Sequence, residues 1–469
     1  MTKWCYRLKA WNNSRLIFKF IEKLRQGLTA ENRAVAAVVI NCHVYTMRIA
    51  WFISFLIIGF NAHGQGTSYK KRVLETTEID ALFSYYGQEG SNAAVTGGEG
   101  SEELTDVTSS LIVRLPMNED DILTLDIGIS AYSSASSSNV NPLDGNPRDR
   151  VSPYIASSGA SQSDQLVHIN PSYQHSSDDR NSIWNAKAYV SSEYDYTSVG
   201  FGGGYTQLFH EKNTEVSANA NVYFDRWNPQ YPIELRSGFF DDRISGPGVY
   251  TPNFTELDNV NRNSYSVSLG FSQILSKRLQ GSIFLDAVLQ NGLLSTPFQR
   301  VYFADANDFF IEDFQLADDI ERLPDSRFKL PIGGRLNYFL NDTFVIRSYY
   351  RFYSDTWGIQ AHTASVELPI KLSNSFTVYP TYRFYSQTAA DYFNEKETAL
   401  SIQNFYTSDY DLSAFQAHQY GLGLRYKDIF TNAKLLSFGL KTVDFRFSNY
   451  ARSDGLDSFI FTLGTTFVR

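Results

Sequence analysis

The chain has 469 residues, a formal net charge of −9, 15% aromatic residues and 19% charged residues. Its length allows two or three ordinary domains, but a single large domain also accommodates it. The acidic balance argues against nucleic-acid binding, which needs a basic surface.

The first recognisable element is a short apolar run at residues 49–60, IAWFISFLIIGF. It follows Arg48 and precedes small residues that end at Gly64. A basic residue, a short apolar core and a small-residue end are typical of a secretory signal peptide, here cleaved after Gly64. The alternative is a short membrane anchor or a buried helix, although so short a run spans hydrocarbon poorly.

The residues upstream of this run leave the start of translation open. Met47 lies directly before Arg48, so residues 1–46 are either a non-native extension or a long basic leader. Cleavage after Gly64 would remove nine basic and two acidic residues, leaving a charge of −16, and both cysteines, Cys5 and Cys42. A thiol-free chain suits export through the Sec pathway. We therefore divide the chain into a leader, 1–64, and one domain, 65–469.

Beyond the leader, apolar and polar residues alternate with a period of two. Residues 123–130 read LTLDIGIS, and similar stretches recur between 73 and 468. A strand with this period shows hydrocarbon on one side and water on the other. The pattern predicts an all-β fold, a transmembrane antiparallel up-and-down β-barrel of about 16 strands. The predicted strands are 73–86, 105–115, 122–136, 165–176, 183–194, 197–209, 214–227, 263–274, 279–291, 326–339, 343–354, 358–371, 376–388, 413–427, 435–449 and 456–468.

The connections between these strands alternate between two classes. Short turns rich in Asn, Asp and Ser are expected on the periplasmic rim. Long polar stretches, alternating with brief turns near 195, 355 and 451, are expected outside the cell, where specific function usually resides. The long stretches are 87–104, 137–164, 228–262, 292–325 and 389–412.

Charged residues at the inward positions of the predicted strands are candidates for the lining of a pore. A barrel of this size is wide enough for an aqueous channel. Alternatively, these charges neutralise one another inside a plugged barrel. The candidates are Asp126, Asp286, Arg347, Arg351, Glu367, Arg383 and Arg425.

In the strand predicted at 435–449, the apolar residues change from even-numbered to odd-numbered positions. Phe438 and Leu440 share one face, whereas Val443 and Phe445 take the other. A β-bulge near Lys441 would reconcile the two. A misregistered strand is the alternative.

A glycine-rich segment carries the best candidates for metal ligands. Gly97, Gly98 and Gly100 return a strand to a strand, which predicts a tight loop rather than a phosphate cradle at a helix N-terminus. Nearby Glu99, Glu102 and Asp106 offer the hard oxygen ligands that Ca²⁺ prefers, but a solvated acidic loop is the favoured explanation. No other cofactor is expected.

Histidines offer the only hint of catalysis. The five that follow the leader are scattered singly, outside any hydrolase signature, so we expect no enzyme activity; an outer-membrane hydrolase is the alternative. They are His168, His175, His210, His362 and His418.

Residues 68–141 resemble an uncharacterised family of Gram-negative outer-membrane proteins defined by a domain of unknown function, DUF3570. The distinctive pieces are SYYGQ at 84–88, AVTGGEG at 94–100, ELTD at 103–106, SSASSSN at 133–139 and, further on, SSGAS at 157–161. The resemblance implies an exported β-barrel in the outer membrane. It implies no activity and no functional residues.

Two functions remain open at this point. The first is a porin-like diffusion channel or transporter for a small solute. The second is a closed barrel that serves as a scaffold for an unidentified envelope protein. In both, the partners are outer-membrane lipid and the barrel-assembly machinery, to whose signal the aromatic last strand is similar.

Overall fold

The computed structural model describes residues 72–134, 163–252, 254, 256 and 260–469. Sixteen antiparallel strands form one sheet that closes on itself, which confirms the predicted fold class. The proposed signal peptide, its cleavage after Gly64 and the start at Met47 lie outside the described residues. In the part of the chain that the structure describes, no helix has the length and apolarity needed to cross a bilayer.

The barrel strands are β1 (Glu78–Glu89), β2 (Leu104–Pro116), β3 (Asp121–Ser134), β4 (Ser163–Ser176), β5 (Ser182–Ser192), β6 (Tyr196–Phe209), β7 (Thr214–Trp227), β8 (Val260–Ser276), β9 (Leu279–Gly292), β10 (Ser326–Phe339), β11 (Val345–Asp355), β12 (Gln360–Glu367), β13 (Phe376–Gln387), β14 (Phe415–Lys427), β15 (Phe438–Arg452) and β16 (Asp457–Val468). Two-residue strands lie at Ile244–Ser245, Arg300–Val301, Phe310–Ile311, Phe314–Gln315, Asp319–Ile320, Ile370–Lys371 and Lys434–Leu435, and 3₁₀ turns at Ala94–Thr96, Ile233–Leu235 and Tyr410–Leu412.

The closure is a continuous ladder between the first and last strands. It runs from Glu78 opposite Val468 to Glu89 opposite Asp457. Closure leaves no unpaired strand edge, which is the condition for a sheet to reside in lipid. The first strand was predicted at 73–86, but the structure places it at Glu78–Glu89. The start of β1 is set by the end of its partner β16, with which it pairs.

The alternation of side chains gives the barrel an apolar exterior. On β8, Leu269 pairs across the sheet with Ala218 and Leu285, whereas the adjacent Ser268 pairs with Asp286. Leu269 is 49% exposed in the protein alone. An apolar side chain that the protein leaves uncovered is satisfied by lipid, so this face is the outer one.

Two irregularities interrupt the ladder. Pro369 splits the strand predicted at 358–371 into Gln360–Glu367 and Ile370–Lys371, because proline has no N–H to donate. The register of β15 against β16 shifts between Leu440 and Thr442, so the bulge expected near Lys441 is confirmed. It returns Leu440 and Val443 to the same outer face.

The long connections that the structure describes form a folded layer rather than separate solvated loops. We call the connections 90–103, 293–325 and 388–414, with the described residues of 228–259, the cap. Its apolar side chains pack into four clusters, so these loops have hydrophobic cores of their own. The buried members are Leu294, Leu323 and Ala390 with Trp357 and Ile359 of a neighbouring turn; Tyr231, Leu235, Ala317 and Ile320; Val301, Phe303, Ala399 and Tyr406; and Phe309, Ile311, Phe314 and Leu316.

The cap reaches across the mouth of the barrel. Residues 90–103 follow β1 and residues 293–325 follow β9, so the two connections start on opposite sides of a ring of sixteen strands. They nevertheless meet, since Arg300 Nη1 donates to the Val95 carbonyl oxygen over 2.8 Å. This contact requires at least one of the two connections to lie over the lumen.

Candidate functional site

Five ionised side chains form a continuous network on strands β11 to β15. Arg347 Nη1 lies 2.8 Å from Glu367 Oε1, and Arg446 Nη1 lies 3.1 Å from Glu367 Oε2. Arg446 Nε is 3.2 Å from Asp444 Oδ1, and Arg425 also binds Asp444. The network therefore contains three cations and two anions.

The network lies on the inner wall of the barrel. Glu367 on β12 and Arg446 on β15 are three strand spacings apart, about 14 Å along the sheet. Side chains converge across such a distance only on the concave face. Yet Arg347, Arg425 and Arg446 keep 49%, 42% and 43% of their side-chain surface accessible. The lumen beside them is therefore hollow.

The other sequence-predicted pore residues have different surroundings. Asp126 lies 3.4 Å from both His168 Nε2 and Asn170 Nδ2. Asp286 sits opposite Ser268, with no ion pair among the described residues.

Arg351 and Arg383 also have no acidic partner within the described ranges, and Arg351 Nε is buried without a hydrogen bond. The structure thus joins Arg347, Glu367 and Arg425 in one network and keeps the rest of the set separate. That all seven candidates line a conducting pore stays a prediction.

The cap is held by an ion pair from which water is wholly excluded. Arg300 and Glu234 are both 0% exposed, with Nε to Oε1 at 2.5 Å and Nη2 to Oε2 at 3.0 Å. Burial alone lowers the pKa of Arg300, but the Glu234 carboxylate outweighs it and the pKa is raised. The guanidinium also stands 4.9 Å from the Phe314 ring centroid. One side chain thus ties three cap segments together.

A second buried carboxylate in the cap, Glu321, forms no ion pair within the described residues. Glu321 is 2% exposed and accepts hydrogen bonds from the Thr296 N–H at 2.6 Å and the Thr407 hydroxyl at 2.5 Å. Burial, with a further contribution from Asp409, raises the pKa of Glu321 to about 8. The cap therefore stores a proton at neutral pH.

Charged residues also join the cap to the rim of the barrel. Arg452 at the end of β15 pairs with Asp411 of the cap and with Asp454 at 2.5 Å. Burial, reinforced by Asp411, raises the pKa of Glu102 to about 7, while Arg452 opposes the rise. The rim beneath the cap thus carries several interacting charges.

The proposed calcium ligands do not share one set of contacts. Glu99 Oε2 lies 3.0 Å from Lys396 Nζ, and Asp106 accepts from the Ser130 hydroxyl at 2.7 Å. Glu102 instead interacts with the charges at the rim. A calcium site built from these three stays a prediction.

Another acidic cluster was missed by sequence reasoning. Asp164, Glu193 and Asp195 offer oxygens within 4.8 Å of one another, and Trp227 Nε1 donates to Asp195 Oδ2 over 3.2 Å. Burial, with the neighbouring carboxylates, raises the pKa of Glu193. Asp164 and Glu193 are far apart in the sequence, so no ligand spacing could have revealed the cluster.

The five histidines lie apart from one another. His362 Nδ1 is 2.7 Å from the Tyr350 hydroxyl and His418 Nδ1 is 2.9 Å from the Tyr382 hydroxyl, all on the outer face. Such pairs suit the polar edge of a bilayer. The other three histidines contact, in turn, Asp126, Asp121 and Thr214.

The sequence of the chain matches the model of one protein family. The model of the family described as "Protein of unknown function (DUF3570)" matches residues 129–455. The chain belongs to this family. The DUF3570 match starts inside β3, so most of the motifs that carried the resemblance at 68–141 precede the matched range. With an apolar exterior and a polar lumen, the DUF3570 barrel is an outer-membrane protein.

No curated protein matches the chain. Among solved structures, a mutant of the TodX monoaromatic hydrocarbon channel has 8% identity and a TM-score of 0.36, covering 85% of this chain and 91% of that one. A BenF-like porin from Pseudomonas fluorescens Pf-5 has 8% identity and a TM-score of 0.38, covering 84% of this chain and 100% of that one.

A ferric enterobactin receptor mutant from Pseudomonas aeruginosa has 11% identity and a TM-score of 0.40. It covers 81% of this chain, which spans only 54% of that receptor. At these scores nothing about solute or partner carries over to the DUF3570 protein.

Proposed function

We propose that this DUF3570 protein is a passive diffusion channel for a small solute, with the cap as its outer constriction. The observation that supports this most is the accessibility of the inward arginines. Arg347, Arg425 and Arg446 could be fully covered in a plugged barrel, yet each keeps more than two fifths of its surface. A hollow, charged lumen is suited to water and dissolved ions.

The cap supplies the selective step of this proposal. Loops that pack across a mouth narrow the passage and bring polar groups close to the solute. The Arg300 contact with Val95 is one such crossing, and its two ends start on opposite sides of the barrel. Solutes would pass beside the cap rather than through its packed clusters.

The same cap also favours a second candidate, a closed barrel that displays a docking surface. Four apolar clusters are more than a simple constriction needs. In this alternative the cap blocks passage and binds an envelope protein.

Conductance of the purified protein in a planar bilayer separates the two candidates. We expect stepwise currents from the channel. A barrel that is inserted and folded, as shown by heat-modifiable mobility on a gel, but passes no current would refute the channel and favour the scaffold.

Cysteine accessibility tests whether the lumen is the path. Ser268→Cys faces inward and Leu269→Cys faces lipid, in a background where Cys5 and Cys42 are serine. A charged, water-soluble thiol reagent should reduce the current of Ser268→Cys and leave that of Leu269→Cys unchanged. Equal responses of the two variants would contradict a lumenal path.

We further propose that the chain is exported through the Sec pathway and inserted by the barrel-assembly machinery. The aromatic residues of β16, among them Phe459, Phe461 and Phe467, support the second step. Replacing all three with serine should lower the folded fraction in cells. An unchanged folded fraction would argue against recognition of this strand.

A further inference from the structure

Three of the four inward arginines without an acidic partner in the described ranges lie on the wall formed by β10 to β13; the fourth, Arg262 on β8, lies 5.8 Å from the Trp227 ring centroid. Arg335 on β10, Arg351 on β11 and Arg383 on β13 make no ion pair within the described ranges. Their parity places them on the inner face, since Arg335 pairs with Ser282 and Arg383 with Ser365. Elsewhere on the same wall, Arg327, Arg347, Arg425, Arg446 and Arg452 each contact a carboxylate.

A guanidinium removed from bulk water is stable only with a counter-charge or a full set of hydrogen bonds. Arg351 makes no ion pair within the described residues, and its Nε is buried without a hydrogen bond. No carboxylate of the described residues supplies that counter-charge. An oxyanion from solution would supply it.

Aromatic rings hold two of the three arginines without occupying their donors. Arg335 Cζ lies 5.4 Å from the ring centroids of both Phe284 and Tyr349. Arg383 Cζ lies 5.9 Å from the Tyr385 ring centroid. A cation–π contact uses the face of the guanidinium and leaves the N–H groups at its edge free to bind an oxyanion.

The residues between the arginines are small. β12 separates β11 from β13, and its inward residues here are Thr363, opposite Arg351, and Ser365, opposite Arg383. Gly333 lies opposite Arg351 on the other side. These small side chains add hydroxyl groups beside the arginines.

The adjoining wall of the lumen carries neutral side chains. The inward residues at the middle of β7 and β8 are Asn219, Asn221, Ser266 and Ser268. These neutral groups hydrogen-bond to a solute without fixing its charge. The wall of β10 to β13, which faces β2 to β5 across the ring, is therefore the arginine-rich side of the lumen.

We propose that Arg335, Arg351 and Arg383 form a lumenal binding site for a small oxyanion, a carboxylate or a phosphate. The site rests on the proposed channel function, for which it names the solute class. Bidentate guanidinium contacts suit both ligands, so their shared chemistry is assigned here.

Calorimetric titration in detergent micelles tests the site without requiring transport. The probes are succinate and inorganic phosphate, with putrescine as a cationic control. We expect one anion to bind at millimolar concentration or below, and putrescine not to bind. The double variant Arg351→Gln/Arg383→Gln should weaken binding about tenfold or more, because it removes two charged donors.

The matched control is Arg226→Gln, which removes the same charge from the outer face of β7. It should leave binding unchanged. The anion that binds more tightly decides between carboxylate and phosphate. Absent binding of either anion, or equal loss in both variants, would overturn the site.

Reversal potentials in a salt gradient then separate failure of the site from failure of the channel. We expect the wild-type channel to prefer anions and the double variant to lose that preference. Currents with a cation preference would overturn the site and leave the channel standing. Anion binding that depends on the arginines, in a protein that passes no current, would support the site and overturn the channel.

Discussion

Removing one carboxylate from the cap should open it without disturbing the barrel. Glu234→Gln keeps the shape of the side chain but leaves the Arg300 guanidinium, 0% exposed, without its counter-charge. Breaking a buried pair from one side costs about 3–5 kcal/mol. Since 1.4 kcal/mol is a factor of ten, the open population of the cap should rise by roughly two to three and a half orders of magnitude.

Amide hydrogen exchange measures this population directly. The reporters are the amides of Leu316 and Glu321, which bond to the Phe309 and Gln299 carbonyl oxygens within the cap. They should exchange faster in Glu234→Gln, whereas amides in the β6–β7 ladder should keep their protection. The barrel ladder does not depend on Glu234, so it serves as the internal reference.

Two further variants separate charge burial from loss of contact. Glu99→Gln breaks the pair between Glu99 and Lys396. Because the Glu99 side chain is 67% exposed, this change should cost well below 1 kcal/mol of cap stability. Glu234→Leu with Arg300→Met replaces the buried pair by apolar groups and should restore much of the protection. The reasoning would be refuted if Glu234→Gln exchanged no faster than Glu99→Gln, or if the double variant were as labile as Glu234→Gln.

Three other predictions concern pH, the lipid face and the bulge. The pKa of Glu321 is raised from 4.5 to about 8, so its stabilisation of the cap is complete below pH 4.5 and is lost as the pH rises through about 8. Amide hydrogen exchange in the cap, corrected for its intrinsic pH dependence, should accelerate over that pH window. Glu321→Gln should flatten this pH dependence, and an unchanged slope in the variant would contradict the role of Glu321. Leu269→Arg should cost about 2–4 kcal/mol in a denaturant titration in lipid vesicles, whereas Ser268→Arg, one residue away and inward, should cost little; equal costs would reverse our assignment of the faces. Deleting Lys441 should prevent closure, because one residue of slip turns Leu440 and Phe438 inward, while Lys441→Ala should fold, as judged by heat-modifiable gel mobility; a folded deletion variant would show that the bulge is dispensable.

Strand positions and faces were accessible from the sequence because each is set by local chemistry. The predicted bounds of β7 and β10, 214–227 and 326–339, are those observed. Lipid on one side and water on the other impose a period of two, and that period is readable in any stretch of ten residues. The same rule located the bulge at Lys441, where the parity changes.

The lumenal charges were predictable as a set but not as pairs. Parity places Arg347, Arg351 and Arg383 on one face, yet only Arg347 finds a carboxylate. Which arginine is paired depends on contacts such as Glu367 with Arg446, which exist because closure curves β12 towards β15. Curvature is a property of the ring and leaves no mark on a single strand.

By itself, the sequence determined that the chain crosses a membrane as strands, where most of them lie and which side chains meet lipid. Tertiary structure alone decided that the long polar connections pack into a cap and that Arg300 is neutralised by Glu234 beneath it. The physical reason is the separation in sequence of the groups that each interaction joins. Lipid acts on each residue separately, whereas a buried ion pair between distant loops forms only after the barrel has brought both loops to one rim.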